Sequence, residues 1–565
     1  MTIEQAIAPI NSPFRPEGIV TLADLLARAE AELEGTAQRD TRSAFRCLVS
    51  KLGIDPETVP ATPKALREIL GPLTPGMLGV SAKRLANIRS LVTRAVVRFG
   101  MARRVLIRDG CLTPDWEALL DRAEPQKYRY GLSRFARFCS ATGVAPDTVD
   151  METLRAFHEA LEAECMVKHP QAVLKHTISH WNMQRRQVAG WPRITLSTPF
   201  ARRFDTLPLK AFPESFQSEI SSWADAMRHP DPLDPEAPER ALREPTIKGY
   251  IVVFRRFASA LVHRGVLPIR EITGLAVFFE GDTVKAGLRH FLPDGGARTT
   301  RYAHDMARKL SHIARHHLRL PADEMERIDA VVARLDPNLP RGMGKRHRDR
   351  LDQFDDPANV RRLLQFPADE RDRALAMTSP IRRARGIERA LAISILIHTG
   401  LRIRNLRQLR LDRSVRRVGG RVYLEIADGE TKTGMALTLE LPSETVALLD
   451  AFTGLHRPLL PGSDGPFLFP GRTGGARSDN AMRAAVSEPL RRHAGIVINP
   501  HLYRHAIAKI VVERDPGMYV AISRRLGHRS LNTTLGSYLG TETRAASRQI
   551  NRLLDRARSR PEIED

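Results

Sequence analysis

Three times in its first 320 residues the chain repeats one piece of helical grammar. An apolar stripe at helical spacing meets a glycine where the helix would stop, a proline-containing turn follows, and a second short amphipathic stretch comes after it. The copies are "RSAFRCLVSKLGIDPETVPATPKALREIL" (42–70), "YGLSRFARFCSATGVAPDTVDMETLRAFHEAL" (130–161) and, more loosely, "YIVVFRRFASALVHRGVLPIREITGLAVFF" (250–279). Each is followed by a basic helical run: "SAKRLANIRSLVTRAVVRFG", "HPQAVLKHTISHWNMQRR" and "RTTRYAHDMARKLSHIARHHL". Two-thirds of the chain therefore reads as helix, in a small unit repeated three times; helix grammar that merely converges is the alternative. The prolines of "FDTLPLKAFPESF" and "HPDPLDPEAPERALREP" mark linkers between copies. A further break, "DPNLPRGMGKRHRDRLDQFDD" (336–356), holds the densest basic run, which suits a linker that wraps a duplex and equally a solvated loop.

Beyond residue 365 the pattern changes. "GIERALAISILIHTGLRIRNLRQLRL" is a buried helix leading into a second, basic one, and "RVYLEIADGETKTGMALTLELP" alternates as two strands about a Gly-rich turn. Helices resume from about residue 443, so the last 190 or so residues form an α+β segment. The spacing divides the chain into helical units over 1–120, 121–240 and 241–340, a basic linker over 341–364, the α+β domain over 365–556 and a tail over 557–565.

Composition narrows the partners. Lys and Arg number 88 against 65 Asp and Glu, a net charge of +23. Such an excess faces a polyanion, most commonly nucleic acid; a solubilising surface would be served as well by acidic residues. No apolar run nears the ~20 residues of a membrane span, and the N-terminus lacks a basic start followed by an apolar core. Both point to a cytoplasmic, nucleoid-associated protein. Cys47, Cys111, Cys139 and Cys165 form no CxxC pair and fit reduced thiols.

Functional groups collect in four islands of the last segment. Arg402 follows a glycine in "HTGLRIRNL", and Lys432 sits at the hairpin tip in "GETKTG". In "NPHLYRH", Asn499 is a good N-cap and Pro500 a good first helical residue, which puts His501 and Arg504 on one face of the first turns. There the helix dipole and free N–H groups favour an anion. "DPGMYVAISRRLG" can run as a helix from Asp515 to Gly527 and present His528, with Tyr538 downstream in "LGHRSLNTTLGSYLG". Two arginines, a lysine and two histidines converging on one point need an anion, and a phosphodiester supplies it. A phenol with pKa about 10 costs roughly 4 kcal/mol to ionise at neutral pH, and a cationic pocket lowers that cost without a metal.

In this order the islands resemble the boxes of the tyrosine recombinase (phage integrase) family, closely over about 365–556 and loosely over the helical copies. The resemblance implies a mainly α chain, with helical DNA-clamping domains ahead of a mixed helical catalytic domain bearing a small antiparallel sheet. It implies that Arg402, Arg504 and His501 hold and activate a phosphate, Lys432 protonates the departing 5′ oxygen, His528 supports the phosphate or nucleophile, and Tyr538 forms a 3′-phosphotyrosyl link. Neither ATP nor a metal is implied, and the expected partners are double-stranded DNA with a specific core site and three further copies of the chain. A catalytically inactive DNA-binding relative and a type IB topoisomerase are the rival readings. Two departures stand out. Asn405 occupies a position that is acidic in much of the family, although it could still hydrogen-bond Arg402, and Tyr538 falls ten rather than nine residues after His528, where Ser537 stands.

Other candidates read as structure. Tyr503 and Tyr519 are expected in the core; His176/His180 and His312/His316 have ligand spacing but no acidic or cysteine partner nearby; and "PGRTGG" lacks the phosphate-loop pattern. In the tail, Thr541 can cap a helix on which Ala546, Ile550, Leu553 and Ala557 form a narrow apolar stripe, suited to a neighbouring subunit or to its own domain.

Overall fold

In each of the three copies the glycine read as a helix stop has a left-handed φ: 62° at Gly53, 73° at Gly143 and 66° at Gly265. Only a residue without Cβ adopts this conformation freely, and it turns the chain out of the helix. The computed structural model describes residues 19–99, 111–199, 206–233, 240–293, 298–338, 343–515 and 518–527, with residues 550, 551, 554, 555 and 558 near the C-terminus. His528, Ser537, Tyr538 and Thr541 lie outside the described residues.

Around the first stop are α1 (Leu22–Glu32), α2 (Gly35–Leu52), α3 (Pro63–Leu70), the single turn α4 (Pro75–Leu78) and the basic run α5 (Ala82–Phe99). Thr21, Thr62 and Thr74 cap α1, α3 and α4. Leu25, Phe45, Leu66, Ile88 and Val92 form their core. Around the second are α6 (Pro114–Asp121), α7 (Lys127–Thr142), α8 (Met151–Ala163) and α9 (Pro170–Gln187), closed over Trp116, Phe135, Phe157 and Trp181. Arg67 on α3 ties the two bundles through the carbonyls of Leu161, Glu162 and Cys165 at 2.6–3.2 Å.

The third bundle, α10 (Glu214–Arg228), α11 (Glu244–His263), α12 (Thr283–Arg289), α13 (Arg301–His316) and α14 (Ala322–Leu335), encloses Phe216, Trp223, Phe254, Phe257 and Leu310. Its second stretch is not an α-helix but two 3-10 turns, Ile269–Glu271 and Ala276–Phe278, in line with the looser pattern there. Leu207 and α10 belong to this core, which thus begins well before residue 241. Residues 200–341 form one compact unit, and the remainder of the chain forms the other.

The last core belongs to that second unit. It contains α15 (Lys345–Leu351), α16 (Pro357–Leu375), α17 (Pro380–Thr399), α18 (Ile403–Gln408), the sheet, α19 (Ser443–Ala451), α20 (Asp479–Pro489), a π turn (Leu490–Ala494), α21 (Pro500–Arg514) and α22 (Tyr519–Arg525). The helix α17 is buried on every side through Ala390–Ile397, as expected of a central core helix. Part of the stretch read as a basic linker is packed here: Leu351, Phe354 and Val360 join this core. The sheet has three antiparallel strands in the order β1 (Val415–Val418), β2 (Arg421–Ile426), β3 (Leu437–Glu440), where the sequence suggested two. The extra strand, "VRRV", pairs with β2 across the two-residue Gly419–Gly420 turn, whose φ values are 55° and 76°. Three of its four residues are exposed, so it lacks the alternation that betrays a strand. β2 does alternate, turning Val422, Leu424 and Ile426 inward.

Candidate active site

Asn499 adopts extended backbone and its Oδ1 accepts from the Leu502 N–H at 3.0 Å, so α21 begins at Pro500 as its sequence dictates. Its first turns carry His501, open to solvent, and Arg504, buried. The Arg504 guanidinium donates to the Gly400 carbonyl at 2.6 Å and the Leu526 carbonyl at 2.5 Å. These two carbonyl acceptors fix the plane of the guanidinium. Gly400 ends α17 with φ 63°, and a Cβ there would lie 2.7 Å from Leu526 Cδ2. Hence the end of α17, the start of α21 and the end of α22 meet at one arginine. The described stretch that holds α22 ends at Gly527, one residue short of His528.

Arg402 is the N-cap residue of α18, two residues past Gly400. Burial lowers its pKa; a guanidinium so placed stays cationic and favours an anionic ligand. Lys432 is exposed in the β2–β3 connection. Thr431, buried beside it, closes that connection by donating to the Asp428 carbonyl at 3.0 Å and accepting from the Met435 N–H at 3.0 Å. Asn405 is buried too, but its Nδ2 donates to the Glu430 carbonyl at 3.2 Å, which ties α18 to the loop that carries Lys432. The sequence had suggested Arg402 as its partner.

Electrostatics bring these groups together. The His501 imidazole is held below its ordinary pKa by partial desolvation first, then by the charges of Arg504, His347, Arg402 and Lys432. Among the described residues no carboxylate is one of the charges acting on His501. Three of these four charges, Arg504, Arg402 and Lys432, belong to residues singled out in the sequence. His347, from α15, is an addition that sequence reasoning missed; its only signal was the basic run around it. His505 meets His501 edge-on, with their Nε2 atoms 3.3 Å apart.

Tyr503 is fully buried and its hydroxyl donates to the Val486 carbonyl at 2.6 Å, so burial pushes its pKa well above the ordinary phenol value. It is a core residue, and Tyr519 packs partly buried beside Ala508, Ile522 and Leu526. The His176/His180 rings lie 6.2 Å apart and the His312/His316 rings 4.6 Å apart. Among the described residues no group of three or more His, Cys, Asp or Glu could hold a metal, and no helix is long and apolar enough to cross a membrane.

Comparison with known proteins adds a family to this geometry. Residues 356–544 match the model of the phage integrase family. Among solved structures, the XerH site-specific recombinase in a post-cleavage complex with palindromic difH substrate is 17% identical over 54% of this chain and 79% of its own, with a TM-score of 0.35. The XerA recombinase is 15% identical over 56% of this chain and 91% of its own, with a TM-score of 0.21. The integrase from mycobacterium phage Brujita is 15% identical over 59% and 92%, with a TM-score of 0.21. No curated protein matches the chain.

Proposed function

Since residues 356–544 of this chain are a phage integrase family domain, we propose that the protein is a site-specific tyrosine recombinase that cuts and rejoins DNA for the integration, excision or transposition of a mobile element. The observation that carries this reading is the cationic centre around His501, where Arg402, Arg504, Lys432 and His347 act on one imidazole with no carboxylate among them.

The chemistry follows from that centre. A scissile phosphodiester enters with its non-bridging oxygens toward Arg402 and Arg504, whose charges stabilise the pentavalent state as negative charge gathers there. Tyr538 attacks phosphorus as the P–O5′ bond breaks. Lys432 delivers a proton to the departing 5′ oxygen, and the Tyr538 proton leaves through the His501 and His528 side of the centre. The product is a 3′-phosphotyrosyl ester and a free 5′ hydroxyl. Attack by the 5′ hydroxyl of a second strand reverses the sequence and expels Tyr538. Bond energy is conserved in the ester, so the cycle consumes no ATP and uses no metal.

Two finer features belong to this reading. Strand exchange requires four subunits on a pair of core sites, and the tail supplies a contact between them. In support, Ile550 of the tail stripe is 55% exposed; Ala546, Leu553 and Ala557 lie outside the described residues. The test of the whole reading is Tyr538→Phe, which should abolish covalent attachment to DNA while leaving DNA affinity nearly unchanged. A wild type that relaxes any supercoiled plasmid without exchanging sites would indicate a topoisomerase. One that never forms an adduct would indicate a DNA-binding relative without catalysis.

A further inference from the structure

A second cationic site lies within the same compact unit, between the first helical bundle and the last core. Its floor is a close backbone contact. Thr74 Oγ1 donates to the Arg491 carbonyl at 2.7 Å, and Gly76 on α4 faces Gly495 at the end of the π turn. A Cβ at Gly76 would sit 2.4 Å from the Gly495 nitrogen, and one at Gly495 would sit 2.9 Å from the Gly76 carbonyl carbon. Opposed glycines permit this approach where any side chain would hold the two surfaces apart.

Above the contact is an open cleft of about 980 Å³. Seven Lys and Arg side chains line it against one acidic residue, Glu488. Arg491 is paired with Glu488 at 2.6 Å, which largely accounts for that carboxylate. Arg89 and Arg362 are aimed by backbone carbonyls, of Leu70 and Leu73 for the first (2.9 and 2.7 Å) and of Ala494 for the second (3.2 Å). Arg373 leans on Phe366 and pairs with Glu370 behind the wall at 3.1 Å. Lys51, Lys168 and Arg492 are exposed and line it too, Arg492 standing 3.7 Å from the same Glu488 carboxylate. The amino end of α5 also opens here, through Ser81 and Ala82, and adds its dipole to the same field. Bringing like charges together across a narrow space is unfavourable unless an anion occupies it.

We propose that this cleft grips the phosphate backbone of a DNA segment other than the one held at the Arg402–Arg504 centre. Its lining includes none of Arg402, Lys432, His501 and Arg504, so the two sites share no residue. A duplex carries one charge per ~1.7 Å of axis, which matches a row of cations spread along an open cleft better than an enclosed pocket would. The proposal rests on the DNA-acting reading above, and it makes each subunit bivalent for DNA.

The test uses the full chain and a 30-bp duplex of arbitrary sequence, with affinity measured from 50 to 300 mM KCl. Removing three phosphate contacts in Lys51→Ala/Lys168→Ala/Arg492→Ala should lower the slope of log K against log salt by about 2–3. Gly76→Val removes no charge but forces the walls apart, and should lower the slope as well. An unchanged slope in the triple variant overturns the proposal. So does a slope lost in the triple variant and kept in Gly76→Val, because the cations would then act without the cleft. Saturable one-to-one binding of tripolyphosphate that Gly76→Val abolishes, with the DNA slope unaltered, would assign the cleft to a small phosphorylated ligand instead. Adduct formation on DNA from the flanks of the gene is measured in parallel. Its absence from the wild type would defeat the recombinase reading, while the salt slopes would still decide the cleft.

Discussion

Lys509 lies on the helix that carries His501 and Arg504, and it is 2% exposed. Its ammonium donates to Asp355 at 2.5 Å and stands 3.5 Å from Glu513. Replacing it with Met keeps the apolar stem and volume but leaves both carboxylates without that cation. Breaking a fully buried pair costs about 3–5 kcal/mol. Asp355 retains 30% of its side-chain exposure and can rehydrate, so about 2–3 kcal/mol is the expected loss for Lys509→Met. A chain with several cores does not unfold in one step, so the effect is best read locally. Hydrogen exchange of the α21 amides in the full chain should accelerate by about 30- to 150-fold, with exchange in the 22–99 bundle unchanged. Because α21 positions two residues of the centre, cleavage should fall with it. Acceleration of less than about twofold would refute the claim that this ion pair pins the helix.

Other perturbations probe the centre directly. Asn405→Leu removes the tie to the Glu430 carbonyl and should slow cleavage about fivefold, the effect of about 1 kcal/mol, with DNA affinity intact; an unaltered single-turnover rate would show that the tie does not position Lys432. The His501 pKa is lowered in the free protein, so the folded state gains stability above the ordinary value near ~6.5 and loses it as pH falls through that region. Phosphate binding should raise that pKa, so that DNA affinity grows as pH drops from 8 to 6 and His501→Gln flattens the profile. An NMR titration of the imidazole with and without DNA checks the sign. Tyr503→Phe should cost about 1–2 kcal/mol by leaving the Val486 carbonyl unpaired, and should still form adducts on DNA.

The elements that carry the candidate residues were legible because their signals are local. A glycine stop followed by an arginine, an Asn-Pro helix start, and a lysine between alternating strands each announce themselves within ten residues. What escaped depends on distance or on burial. His347 meets His501 only through the tertiary fold, and nothing in the basic run around it marks one histidine. Nothing in the local sequence marks Glu370 or Glu388 as buried, yet both are, with Arg389 at 2.7 Å from the first and Arg385 at 2.9 Å from the second. Asn405, three past Arg402 at a position acidic in much of the family, could have hydrogen-bonded that arginine; the acceptor found is on a loop 25 residues away. β1 was hidden because an edge strand with an exposed basic face shows no period of two.

The central claim is that a phenol attacks phosphorus within this cationic centre, and the identity of the attached residue tests it most directly. The full chain should be trapped on a nicked duplex built from the flanks of its gene, digested, and the DNA-linked peptide sequenced by mass spectrometry. The account predicts a phosphoester on Tyr538, absent from Tyr538→Phe, retained in Ser537→Ala and insensitive to chelators. An adduct on Ser537 or Tyr503, or one that requires a divalent metal, would contradict it.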